Sequence, residues 1–85
     1  MASQGTVLSG QVWAMLDECA PGHTRTLTKH NVRIAFRGET YYRFPAGPHG
    51  KKRGGNKYRV EIGHVKNLVR LFQIRECARN HFEKL

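Results

Sequence analysis

The sequence predicts a small α+β domain: a three- to four-stranded antiparallel sheet with an N-terminal helix and one or two C-terminal helices packed on one face. Three observations predict it. Apolar groups recur at helical spacing near both ends of the chain. Between them, residues 31–44 and 57–62 alternate apolar and polar side chains with a period of two. Eighty-five residues with 39% hydrophobic content suffice for one modest core, so residues 1–85 form a single domain.

Taken in order, Met1 to Leu8 has no period and is expected to be partly loose. Ser9 is the expected N-cap for a helix over Gln11–Ala20 that buries Val12, Leu16 and Cys19, flanked by Trp13, Met15 and Ala20. Pro21-Gly22 stops it. Thr24, Thr26 and Thr28 alternate with Arg25, Leu27 and Lys29, a short strand suited to a sheet edge. His30-Asn31 then turns the chain into its clearest strand, where Val32, Ile34 and Phe36 face one way and Arg33, Ala35 and Arg37 the other. Arg37-Gly38-Glu39 is a hairpin turn. The same alternation continued past the turn puts Tyr42 and Phe44 inward, Tyr41 and Arg43 outward.

Residues 45–57 hold two Pro, four Gly and four Lys or Arg without an acid, a composition expected to be a flexible basic loop. A further strand follows, with Tyr58, Val60 and Ile62 inward and Lys57, Arg59 and Glu61 outward. From His64 to Leu85 there is neither Gly nor Pro, yet the apolar stripe changes phase. Val65, Leu68, Val69 and Phe72 lie on one side; Leu71, Ile74, Ala78, Phe82 and Leu85 lie roughly opposite. A break near Gln73-Ile74-Arg75, giving two helices, resolves the conflict. The alternative is one continuous helix whose second stripe makes a homodimer.

The net charge of +9 is concentrated. Residues 23–60 carry ten of the fifteen basic groups against Glu39 alone. Such a field favours encounter with a phosphate backbone. Arg33, Arg37, Tyr41, Arg43, Lys57 and Arg59 would share the sheet face turned away from the helices, joined by Lys51, Lys52 and Arg53 of the loop. Arginine's planar fork suits phosphate, and one aromatic ring can stack on a base, so nucleic acid is the expected partner and RNA the favoured one. An acidic protein is the other partner such a surface would take, including the case of an interaction adaptor from a phage or other mobile element.

Of five histidines, His30 is the best general acid/base, at a strand corner beside Lys29 with Arg25 and Arg33 near in sequence; His49 is a weaker one. No metal site and no cofactor are expected, because Cys77 and His81 alone have ligand spacing, at i and i+4. Cys19 and Cys77 read most simply as reduced, buried residues of a cytoplasmic protein rather than as a disulfide. No run of about 20 apolar residues could span a membrane.

Over residues 10–83 the order of elements resembles the HicA-type toxins, small ribonucleases of toxin–antitoxin modules. The matching features are the short first helix, Thr28-Lys29-His30 at a strand corner, the basic strand 32–37, a later strand, and the helical stretch Gly63 to Phe72. Gln73-Ile74-Arg75-Glu76 followed by Phe82 is similar to the family's helix-ending Gly-Ile and its acidic-aromatic segment, with Gln73 in place of the Gly. The resemblance implies a fold like double-stranded-RNA-binding domains and metal-independent mRNA cleavage through one histidine, here His30. It also implies neutralisation by an acidic HicB-type antitoxin.

Overall fold

The computed structural model describes residues 5–47, 54–83 and 85. The elements run β1 (Thr6–Leu8), α1 (Ser9–Cys19), β2 (Thr24–Leu27), β3 (Asn31–Phe36), β4 (Glu39–Pro45), β5 (Arg59–Glu61), α2 (Ile62–Phe72) and α3 (Arg75–Ala78). The fold is α+β. Its main sheet is antiparallel in the order β2-β3-β4, and a second, two-stranded sheet pairs β1 with β5. This corrects two expectations. The N-terminal residues from Thr6 are a strand rather than loose chain, and β5 joins that strand instead of widening the hairpin. The alternation over 57–62 marks a strand without naming its partner, and Thr6–Leu8 is too short to show a period, so their pairing is set by tertiary packing.

Val32, Ile34 and Phe36 are buried as the alternation requires, and the hairpin turns at Arg37-Gly38. Both turn residues have positive φ, 53° and 82°, the paired left-handed geometry that matches the twist of the flanking strands. The core between sheet and helices is aromatic at its centre. Phe44 is fully buried, with Trp13 of α1 at 5.4 Å, Tyr41 at 6.1 Å and His64 of α2 at 6.2 Å between ring centroids. Phe36 meets Phe72 edge-on at 5.6 Å.

Ser9 is not the N-cap. Leu8 takes that place, its N–H bonded by the Gln11 side chain at 3.0 Å. Ser9 is instead fully buried within the first turn, where its hydroxyl donates to the Gly55 carbonyl at 2.8 Å and accepts from the Tyr58 N–H. Trp13 donates to that same carbonyl at 2.9 Å. Gly10 lies so close to this segment that a Cβ there would stand 2.7 Å from the Asn56 carbonyl oxygen. Both described flanks of the 45–57 segment are therefore held in place. Gly54 donates to Ala46 at 2.8 Å, and Tyr58 donates to Pro45 at 2.6 Å, burial pushing its hydroxyl pKa up to about 12.

The C-terminal stripe breaks where its phase changes. Gln73 adopts a left-handed conformation (φ 57°), Ile74 N–H bonds back to Val69 and Gln73 N–H to Arg70, a Schellman closure sealed by buried Val69 and Ile74. Ile74, Ala78, Phe82 and Leu85 are buried in the chain's own core, with Leu71 packed against it. The stripe expected to make a homodimer is thus consumed within the monomer. Because Gln73 is exposed and carries the left-handed penalty, Gln73→Gly is expected to stabilise the protein by roughly 0.5–1 kcal/mol. Thermal unfolding should then shift upward by about 3–6 °C.

Cys19 and Cys77 form a disulfide, which overturns the reading of two reduced thiols. Their Cα atoms are 5.6 Å apart, because α3 folds back onto the end of α1. No helix among the described residues is long and apolar enough to cross a membrane.

Candidate nucleic-acid interface

The open face of the main sheet follows from register. Val32 pairs with Phe44 and Ile34 with Tyr41, so the one residue between them on β3 is matched by two on β4, Tyr42 and Arg43. The surplus residue is a bulge opposite Arg33. With Tyr41 and Phe44 both turned to the core, Tyr42 and Arg43 both turn away from it, and both are exposed. Tyr42 keeps 66% of its surface accessible. The outward positions by register are Thr24 and Thr26 of β2, Asn31, Arg33 and Ala35 of β3, and Thr40, Tyr42, Arg43 and Pro45 of β4. None is a carboxylate. Neither Arg33 nor Arg43 is ion-paired with a described acid.

The other residues picked out in the sequence are placed differently. Tyr41 is half-buried on the helix side, its hydroxyl 3.1 Å from His64 Nδ1, and burial raises its pKa. Arg37 stands at the hairpin tip with its guanidinium 4.8 Å over the Phe36 ring. Arg59 and Lys57 are exposed but belong to the second sheet's strand and its approach, and Arg59 donates to Thr6 at 3.0 Å. Lys51, Lys52, Arg53 and His49 lie outside the described residues. Among the described residues one cationic plate built from every strand is therefore not what forms: Arg33 and Arg43 share a face, whereas Arg37, Lys57 and Arg59 lie elsewhere.

Comparison with protein-family models, curated proteins and solved structures found no match.

His30 is exposed in a corner closed by its neighbours, Thr28 N–H donating to the Asn31 carbonyl at 2.7 Å and Asn31 N–H to the Thr28 hydroxyl at 3.1 Å. Lys29 is exposed beside it. Since Asn31 pairs with Pro45, this corner and the start of the basic segment occupy one end of the sheet. The corner offers an exposed imidazole with the Lys29 ammonium as its chain neighbour, the two group types that proton transfer at a phosphate requires.

Other charged groups are engaged. Arg25 lies 4.8 Å over Trp13 and 3.9 Å from Asp17, an exposed contact worth at most about 1 kcal/mol. A cleft of about 420 Å³ is lined by Lys66, Arg70 and Arg75 with Val69, Gln73 and Leu85. Its cations already have partners: Arg70 bonds Asn67 at 2.6 Å, Arg75 the Leu85 carbonyl at 2.9 Å, and Lys66 is engaged as well. Tyr42 is the functional candidate that alternation missed. The sequence carries no signal for it, because the surplus residue is defined only by the pairing of β4 with β3.

Proposed function

We propose that this chain is a small RNA-binding protein of the cytoplasm that engages its ligand on the open sheet face, with the basic residues of the 45–57 segment as additional phosphate contacts. The carrying observation is the β4 bulge, which sets exposed Tyr42 and Arg43 opposite Arg33 on a face without a carboxylate. The two guanidinium groups hold phosphates, and Tyr42 stacks on an unpaired base. Binding to a single-stranded RNA should weaken linearly in log–log salt, each lost phosphate contact reducing the slope by roughly 0.7. Arg33→Ser and Arg43→Ser are expected to flatten that slope, and Tyr42→Ala to cost about 1–3 kcal/mol of affinity at any salt. Salt-independent binding, or full affinity in the triple variant, would remove the proposal.

A second reading, a HicA-like ribonuclease, is favoured by one observation: His30 is exposed at the sheet end where the basic segment begins. His30 would exchange a proton with the RNA 2′-hydroxyl while Lys29 or Arg33 stabilised charge on the phosphate. Cleavage lost in His30→Ala, with RNA affinity retained, would select this reading. An acidic protein captured through Arg33 and Arg43, with no RNA affinity, would instead select an adaptor.

A further inference from the structure

We propose that Glu18, Cys19, Cys77 and His81 form a zinc site when the disulfide is reduced. The inference is independent of RNA binding. The sequence spacing offers only Cys77 and His81, one helical turn apart, which is too few ligands for a stable site. The fold supplies the other two. The end of α1 carries Glu18 and Cys19 side by side, and α3 with its following turn brings Cys77 and His81 against them.

The donor atoms already converge. His81 Nε2 is 3.0 Å from Glu18 Oε1, and Cys77 Sγ is 4.0 Å from Glu18 Oε2. The ligand atoms of Glu18, Cys19 and His81 all lie within 4.8 Å of one another, and Cys77 Sγ is bonded to Cys19 Sγ. Tetrahedral zinc, with bonds of about 2.0–2.3 Å, needs donors spaced by roughly 3–4 Å. Side-chain rotation at the two cysteines would supply that spacing once the sulfurs are no longer joined. Two soft thiolates with an imidazole and a carboxylate form a donor set suited to zinc. His81 and Glu18 are both partly or fully exposed, so a metal ion can reach them.

The exchange balances. A dithiol reductant gives two electrons and two protons to the disulfide and becomes a disulfide itself, leaving two protein thiols. Zinc then forms two Zn–S bonds as the thiols release two protons. In either redox state the C-terminal segment stays fastened to α1, by a covalent bond or by the metal. That would let the fold persist in the reducing cytoplasm, where disulfides are rare.

The test uses the full chain, reduced with a dithiol that is then removed under anaerobic conditions, and titrated with Co²⁺ as a spectroscopic substitute for Zn²⁺. One equivalent should give thiolate-to-cobalt charge transfer and the strong visible bands of tetrahedral cobalt, both abolished by Zn²⁺. The oxidised chain should show neither. If reduction unfolds the protein, circular dichroism should report refolding complete at one equivalent of zinc. Cys77→Ser should remove about half of the charge-transfer intensity at saturation, and His81→Ala and Glu18→Gln should each weaken binding by more than about tenfold. Both of the latter variants should still form the disulfide when oxidised, showing that they fold. A reduced chain without the cobalt bands, or one whose cobalt affinity is the same in His81→Ala and Glu18→Gln, would overturn the proposal.

Discussion

Replacing both cysteines by serine is expected to cost roughly 4 kcal/mol of folding stability, the chain-entropy value for a closed loop of this length. The bond spans 58 residues of an 85-residue chain, so its removal frees most of the unfolded molecule to expand. In a domain this small each kcal/mol moves the thermal midpoint by about 4–8 °C, so the midpoint should fall by roughly 15–30 °C. The native state gives an independent reason for a large effect. The four residues of α3 cannot sustain a helix alone, and they and the tail beyond them are anchored by Ala78, Phe82 and Leu85 pressed into the core. Thermal unfolding of Cys19→Ser/Cys77→Ser beside the oxidised protein, both without metal, checks the value. A fall under about 5 °C would mean that the covalent tie does little for this fold.

What could be read from the sequence divides along a physical line. Patterns set by one-sided burial were legible: Val32, Ile34 and Phe36 form a strand with one buried face, and the phase change after Phe72 breaks the C-terminal helix near Gln73. The alternation also placed Arg33 and Arg43 on the open face, and their register agrees. Features that depend on a distant partner were not legible. The pairing of β1 with β5, the burial of Ser9 against Gly55 and Tyr58, and the approach of Cys19 to Cys77 are all decided by tertiary packing, and none leaves a local period. Tyr41 and Tyr42 exchanged faces for the same reason. A bulge is a relation between two strands, and β4 read alone gives no sign that one of its residues has no opposite number.

That exchange makes the two tyrosines a direct measurement of the register, with Phe44, inward in either one, as the reference. Phe44→Ala is expected to destabilise by about 3–5 kcal/mol, because the ring is fully enclosed by Trp13, Tyr41 and His64. Tyr41→Ala should also destabilise, by roughly 2–3 kcal/mol, since it empties part of the same cluster and leaves His64 without the hydroxyl at 3.1 Å. Tyr42→Ala, one position away, should change stability by no more than about 0.5 kcal/mol, as expected for an exposed side chain. Strand alternation without a bulge demands the reverse for the pair: Tyr42 costly, Tyr41 nearly neutral. Urea unfolding therefore distinguishes the two registers by the sign of the difference between the two tyrosine variants, with Phe44→Ala as the reference for full burial. The functional reading depends on that result, because a ring free to stack on a base must be one that the folded core can do without.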